Sequence, residues 1–544
     1  MGDPDRSTGN RWRRLRHPVT SCCVTVLVAV LTALTLVAGT GAPAAAAAQV
    51  VPFETRTADG TALRGDVYLP GTGGRLATVL ELSPYWNTAK GPGQLQAGNK
   101  AVQPFLAAGF AVALVNLRGT GKSDGCFQFG SRVDASDAST IVTALAAQPW
   151  SNGNIGMYGT SYEGWAQYMA MAHPPPSLKA AVPISGVIDL WSLLTRQGAP
   201  ISIGPVASTV FGAATSFLGV EPAVLGHAGC REYFAHLGEA RELVDTGDRT
   251  PYYQERDLRP LLSGSAVPVL MANGLRYPSE AHTLQFEDLW TLLRRDRTRF
   301  MLGQWGHGGV RPDFTQLAIG WFDHYLRGGP QVTLPGMVEY QDDTGAWHTS
   351  PAWPPPADPV PVYLSDHQLI ATRSAVKPSQ RSFDSLDSGP GPACGPHQIV
   401  YVSPPLTQEI RVAGNFSADL TVSSSLSGGN LVATLYHTSS WGSCAELASG
   451  APDSGRIELD LRHWQQPGSS RPFPIATPTR VTVKSLPLAT VIPAGDRLVL
   501  AIGATSAELL PDRLKPRITV ATGDQLPGSL RLPVVNGRLE FGPG

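Results

Sequence analysis

The chain has 544 residues, too many for one ordinary hydrophobic core, so two or more domains are expected. Hydrophobic residues make up 42% and charged residues only 16%, a balance that excludes a disordered chain. The formal net charge of -1 gives no general attraction to nucleic acid or anionic lipid, and no nucleic-acid partner is expected.

The N-terminus reads as an address. Arg11, Arg13, Arg14 and Arg16 precede an almost wholly apolar run from Val19 to Ala38, and Gly39 to Ala48 is small and Ala-rich. This predicts a signal peptide over residues 1–48, with cleavage after Ala46-Ala47-Ala48. The product is then secreted or held in the cell envelope, without stable membrane insertion. The alternative is an uncleaved anchor, because the apolar run approaches spanning length. Val19-Thr20-Ser21-Cys22 resembles a lipoprotein box but lies before the apolar run.

Strands and helices then alternate. Ala77 to Leu82 predicts a strand, Val102 to Ala108 a helix, and Phe110 to Val115 a buried strand. Asp134 to Ala147 predicts a helix with Ile141, Val142 and Leu145 on one face. Asn154 to Tyr158 reads as a short strand, Trp165 to Ala172 as a helix, and Ala180 to Ile184 and Val267 to Met271 as strands. Phe314, Leu317, Trp321 and Tyr325 share one helix face. Apolar strands alternating with helices indicate a mostly parallel sheet covered on both faces, an α/β domain over 49–330. Residues 189–260 break the rhythm with helical patterns and are read as an inserted helical cap.

After the Pro-rich stretch Pro351 to Pro361 the helical period disappears. Ile457, Leu459 and Leu461 alternate with Arg456, Glu458, Asp460 and Arg462, and Leu498, Leu500 and Ile502 with their neighbours. Leu420 with Val422, and Leu431 with Ala433 and Leu435, do the same. Short strands of this kind, separated by Gly, Pro and Ser, imply a C-terminal β-sandwich over 331–544.

Cys22 and Cys23 leave with the signal peptide, and Cys126, Cys230, Cys394 and Cys444 remain. An even count in an exported protein implies two disulfides, with three pairings open. Cys126–Cys230 and Cys394–Cys444 are expected, since each then stays within one domain. No Cys/His cluster marks a metal site, and no metal or cofactor is expected.

The chemistry centres on Tyr158-Gly159-Thr160-Ser161-Tyr162-Glu163-Gly164, between a predicted strand and a predicted helix. A sharp turn there lifts the Ser161 hydroxyl above the sheet edge, and the Tyr162 backbone N–H can face an oxyanion. The second glycine comes one residue later than in G-x-S-x-G. On its own the pattern equally describes a helix N-cap. A serine hydroxyl needs a base, and His307 in Gly303-Gln304-Trp305-Gly306-His307-Gly308 follows a predicted strand in the chain order of an α/β-hydrolase. His173, His282 and His324 keep a structural reading.

These segments resemble the X-prolyl dipeptidyl-peptidase group, together with cocaine-esterase-like hydrolases and α-amino-acid ester hydrolases. The serine motif, Gln148 to Met157, Leu117 to Gly125 and the His307 loop carry the resemblance, in the right order. Ser83-Pro84-Tyr85 corresponds to the segment whose Tyr hydroxyl helps form the oxyanion hole. Val402 to Leu406 and Pro493 to Leu498 resemble the family's C-terminal jelly roll. The resemblance implies Ser161 as nucleophile, His307 as base, and Tyr85 with the Tyr162 N–H as the oxyanion hole. The family's catalytic acid, an Asp, falls where this chain has Tyr277; Glu280, three residues on, is the candidate replacement or the remnant of an ammonium-binding cluster. Asp189 and Glu280 are the candidate anchors for a substrate amino terminus. The expected substrate is a short Xaa-Pro peptide or a small acyl ester or amide. The competing reading is a degenerate hydrolase that binds a ligand or a cell-envelope partner. Oligomeric state stays open.

Overall fold

The computed structural model describes residues 49–543 except 72, 87–101, 202–229, 277–279, 386–396, 440–454, 507, 512, 524 and 527. The predicted signal peptide lies outside the described residues. Among them, no helix is long and apolar enough to cross a membrane.

The N-terminal region is built on one sheet. Its strands are β1 (Gln49–Arg56), β2 (Ala62–Leu69), β3 (Leu76–Ser83), β4 (Ala111–Asn116), β5 (Ser151–Thr160) and β6 (Leu178–Ile184). A two-residue pair, β7 (Thr195–Arg196) and β8 (Ala199–Pro200), forms a separate ladder. The sheet resumes with β9 (Val269–Gly274), β10 (Thr298–Gly303), β11 (Val338–Gln341) and β12 (Trp347–Ser350). The spatial order is β1-β2-β4-β3-β5-β6-β9-β10-β11-β12. From β4 to β11 every neighbouring pair is parallel, and antiparallel pairs close both edges. Every residue of β3, β4 and β9 is buried, as expected of strands covered on both faces.

The helices are α1 (Val102–Ala107), α2 (Arg132–Ala146), α3 (Tyr162–Ala172), α4 (Leu190–Leu194), α5 (Arg231–Thr246), α6 (Pro251–Glu255), α7 (Arg259–Leu262), α8 (Glu280–Leu292) and α9 (Phe314–Arg327). They meet the apolar strands in two core clusters. One holds Ile141, Val142, Leu145, Trp165 and Met169. The other holds Phe105, Phe110, Trp321 and Phe322. Helices α4 to α7 occupy the stretch between β6 and β9 where the rhythm broke.

Strand β3 has β4 on one side and β5 on the other, so the chain reverses its direction of growth there. Connections leave the sheet in opposite directions at such a point and open a crevice beyond the carboxyl ends of the strands. Ser83 ends β3 and Thr160 ends β5, and both lie at that crevice.

The first sheet runs on past residue 330, since β11 and β12 pair into it. From β13 (Pro359–Ser365) to β25 (Ser529–Asn536) the described residues form strands and short helical turns only. Val481 and Val483 in β21 (Thr479–Lys484) face inward between exposed neighbours, the alternation a half-covered strand requires. β20 (Arg456–Asp460) differs, because Glu458 and Asp460 are buried along with Ile457 and Leu459. The N-terminal region covers its second face. Arg196 reaches across to Glu508 at 2.9 Å and Glu458 at 3.5 Å, and Arg456 pairs with the same two carboxylates.

Cys126 and Cys230 form a disulfide with Cα atoms 5.6 Å apart, as expected. Cys394 and Cys444 lie outside the described residues.

Candidate active site

Ser161 sits between β5 and α3 with φ 65° and ψ -118°. A non-glycine residue held there is strained and must be fixed by its surroundings. The Ser161 N–H donates to the Ile184 carbonyl at 2.9 Å, and its carbonyl accepts from Trp165 at 2.9 Å, starting the helix. Displacement of the second motif glycine by one residue has a steric cause. A Cβ at Gly164 would lie 2.8 Å from the Gly186 Cα and 2.9 Å from the Ile184 carbonyl oxygen. Glycine is therefore needed at 164, where the helix crosses the end of β6.

Tyr85 follows β3 across the crevice. Its hydroxyl lies close to the Ser161 side chain and the Tyr162 backbone N–H. Burial and the nearby Glu163 carboxylate push its pKa up to about 12, so the phenol keeps its proton at neutral pH. Three of the predicted groups, the Ser161 hydroxyl, the Tyr85 hydroxyl and the Tyr162 N–H, thus meet at one point.

His307 lies on the loop after β10. The loop wraps around Trp305: a Cβ at Gly303 or Gly309 would collide with its ring, and one at Gly274 with its carbonyl. Gln304 ties the loop down by donating to the Gln341 carbonyl at 3.0 Å and to the Ala489 carbonyl of the C-terminal region at 3.1 Å. The Gly308 N–H donates to the Ser185 hydroxyl oxygen at 3.2 Å, and Ser185 donates to Asn273 Oδ1 at 2.9 Å. A Cβ on Gly308 would lie 3.2 Å from the Thr160 methyl. The His307 loop therefore packs against the residue just before Ser161. Burial lowers the His307 pKa below 6.5, which leaves a neutral imidazole able to accept a proton.

An aromatic wall flanks the elbow. Tyr162 packs on Tyr85 (6.4 Å between ring centroids), Phe127 (5.8 Å) and Phe129 (6.2 Å), and Phe129 packs on His236 (6.1 Å). The Phe127–Phe129 loop begins at the disulfide to Cys230. Arg256 donates to its Gln128 and Phe129 carbonyls at 2.9 and 3.1 Å. His236 is held between the Phe127 carbonyl and the Tyr252 hydroxyl at 3.0 and 2.8 Å. The Leu117 to Gly125 motif anchors the base of this loop: buried Arg118 bonds Asp137 at 2.7 and 2.8 Å and Asp59 at 2.6 Å.

Glu280 opens α8, but its side chain and all of Tyr277 lie outside the described residues. Asp189 does not serve as an anchor for a substrate ammonium. It is fully buried beneath the chain, paired with Arg249 at 3.2 Å and Arg259 at 3.0 Å, so its charge is already matched. Its position before a predicted helix gave no hint of two arginines more than 50 residues away. His324 is structural, with Nδ1 2.9 Å from the Gly329 carbonyl.

Sequence reasoning passed over Ser83, Glu163, Ser185 and Asn273. Ser83, Ser185 and Asn273 are buried polar residues at or just beyond a strand end on the crevice side, which is the signal that marks them, and Glu163 is a half-buried acid in the first turn of α3.

Residues 59–309 match the X-Pro dipeptidyl-peptidase (S15 family) profile, and residues 330–520 match that of the X-Pro dipeptidyl-peptidase C-terminal non-catalytic domain. A Streptomyces avermitilis protein provisionally named an Xaa-Pro dipeptidyl-peptidase is 24% identical, covering 99% of this chain and 92% of its own length. The cocaine esterase of Rhodococcus sp. is also 24% identical, over 72% of this chain and 80% of that protein. Among solved structures, a CocE/NonD family hydrolase from Staphylococcus aureus superposes with a TM-score of 0.72 at 17% identity, covering 90% of this chain and 94% of that one. An α-amino acid ester hydrolase does so with 0.69 at 18% identity, covering 92% and 100%. At those identities the structures speak for the fold alone. The two profile matches, in order along the chain, carry the assignment: this protein belongs to the S15 X-Pro dipeptidyl-peptidase family and is a serine hydrolase.

Proposed function

We propose that the chain is an exported acyl-transferring hydrolase that cleaves esters or amides of small, uncharged, ring-bearing acyl groups through an acyl-enzyme. The observation that carries this reading is the meeting of the Ser161 hydroxyl, the Tyr85 hydroxyl and the Tyr162 N–H, with the His307 loop packed against Thr160. Ser161 Oγ attacks the carbonyl carbon while His307 takes its proton. Tyr85 and the Tyr162 N–H donate to the oxyanion, where such donors do most of their work. The protonated His307 then gives its proton to the departing alcohol or amine, leaving an acyl ester on Ser161. Water, deprotonated by His307, attacks that ester and restores the serine. Glu280 is the proposed partner that orients His307.

The acyl group is placed against Phe127, Phe129 and Tyr162, which offer flat apolar surface next to the nucleophile. The pairing of Asp189 with two arginines removes one of the two candidate anchors for a free amino terminus and leaves Glu280 as the other. The names of the relatives, a cocaine esterase and Xaa-Pro dipeptidyl-peptidases, span both possibilities. Helices α4 to α7 are read as a cap over the site, and the C-terminal region as a jelly roll. Export rests on the N-terminal sequence alone.

The test is covalent labelling of the mature protein with a fluorophosphonate, followed by hydrolysis of Xaa-Pro chromogens and of aliphatic and aromatic acyl esters. Labelling that Ser161→Ala abolishes, with fastest turnover of aromatic acyl esters, is expected. Unlabelled wild-type protein would point to the ligand-binding reading, and a preference for Xaa-Pro substrates would reverse the substrate order.

A further inference from the structure

In the ordinary G-x-S-x-G elbow, a glycine stands two residues after the serine. This chain has Glu163 there. Its side chain turns back beneath the elbow, and Gly159 makes the room: a Cβ at 159, where φ is +147°, would lie 2.4 Å from the Glu163 Cβ. Both carboxylate oxygens are engaged. Oε2 accepts from the Thr160 N–H at 3.1 Å, and Oε1 from the Ser83 hydroxyl at 2.9 Å. The Ser83 oxygen in turn accepts the Tyr85 N–H at 3.0 Å.

These three bonds link two segments 80 residues apart in sequence. One carries the nucleophile and the Tyr162 N–H; the other carries the Tyr85 hydroxyl. We infer that Glu163 is a positioning residue, whose carboxylate sets the distance between the two oxyanion donors and holds Ser161 between them. This rests on the reading of Ser161 as nucleophile and Tyr85 as oxyanion donor. The geometry resembles a capping box, in which a carboxylate in the first helical turn returns to a backbone N–H at the helix entrance. Here the same carboxylate has a second oxygen free to reach β3. Burial raises the Glu163 carboxyl from its ordinary range, and the bonds from Ser83 and Thr160 pull it back toward the charged form. A negative charge this close works against an oxyanion by Coulomb repulsion. Its retention is understandable if the geometry it imposes outweighs that cost.

The experiment measures kcat and KM for one activated ester in Glu163→Gln and Ser83→Ala, each made alone and together with Tyr85→Phe. Gln keeps the shape but turns one acceptor into a donor, so it cannot accept from both Thr160 and Ser83. Glu163→Gln should lower kcat about 10-fold to 100-fold, the scale of a small misplacement at the reacting atoms, with KM nearly unchanged. In the Tyr85→Phe background the same change should cost much less, because the donor it positions is gone. Ser83→Ala should behave alike with a smaller loss, and it decides the matter if Glu163→Gln does not fold. A role confined to stability would shift Tm without this dependence on Tyr85. The inference is overturned if kcat is unchanged or rises, or if the loss is equal in both backgrounds. Failure of wild-type protein to label with a fluorophosphonate would instead overturn the reading of Ser161, so the two failures are told apart.

Discussion

The two halves of the site are built in different ways. The half that carries Ser161, the proposed nucleophile, is gathered at the ends of two neighbouring strands. Ser161, Tyr162 and Glu163 are consecutive, and they meet Ser83 and Tyr85 because β3 and β5 are neighbouring strands. The half that carries His307, the proposed base, is assembled from distant pieces. His307 rides on a loop held by Ser185 beyond β6, Asn273 in β9, Gln341 in β11 and Ala489 in the C-terminal region. A turn forced by strand pairing leaves a local sequence signature. A loop held by contacts from four elements does not. The nucleophile should therefore respond steeply to changes in its own motif, whereas the base should respond by degrees to changes far away.

The sharpest test of the local half is Ser161→Ala. Turnover should fall on the order of 10⁶-fold, the scale for removing a serine nucleophile, in a steady-state assay on an activated ester. Activity within tenfold of wild type would move the nucleophile elsewhere. Tyr85→Phe comes next, with an expected loss in kcat of about 10²–10³-fold, as for other oxyanion-hole donors. A change seen only in KM would make Tyr85 a substrate contact.

The distributed half should show smaller effects. Gln304→Ala removes the donors to Gln341 and Ala489 but leaves His307 in place. A loss of about tenfold in kcat/KM is expected, at most about 10²-fold. A loss as large as that of Ser161→Ala would mean that the base half depends on one contact after all.

pH gives another comparison. Burial lowers the His307 pKa, so the neutral base persists below pH 6.5. As pH falls through that depressed value, His307 gains a proton and kcat/KM should decline. An acid limb centred above pH 7 would require a partner that favours the charged imidazole, such as a carboxylate at Glu280. Glu280→Gln would then move the limb downward.

The mildest change concerns how the two regions are fastened. Arg196→Met leaves Glu458 and Glu508 with Arg456 alone in a buried setting. Unmatched buried carboxylates are costly, and stability should fall by about 3 kcal/mol in denaturant unfolding. The effect on kcat should be small if this contact only joins the regions. A large loss in kcat with little loss of stability would instead place the C-terminal region in the mechanism.

Much of this protein was legible in its sequence because the controlling physics is local. Doubly covered strands demand continuous apolar runs, so β3, β4 and β6 stood out, and the strand-turn-helix elbow marked Ser161. Four cysteines with two expected intradomain pairs anticipated the Cys126–Cys230 bridge. Tertiary structure decided what depended on partners far along the chain. Asp189 became a buried ion-pair member because Arg249 and Arg259 reach it from the loop after α5 and from α7. Glu458 stands between Ile457 and Leu459 like a solvent-facing residue, yet Arg196 from another region helps bury it. Glu163 reads as a solvated residue in the first turn of a helix until β3 is placed beside β5 and Ser83 comes within 2.9 Å. A charged side chain carries no mark of its partner in its own neighbourhood, because Coulomb and hydrogen-bond energies depend on distance in space and not on separation along the chain.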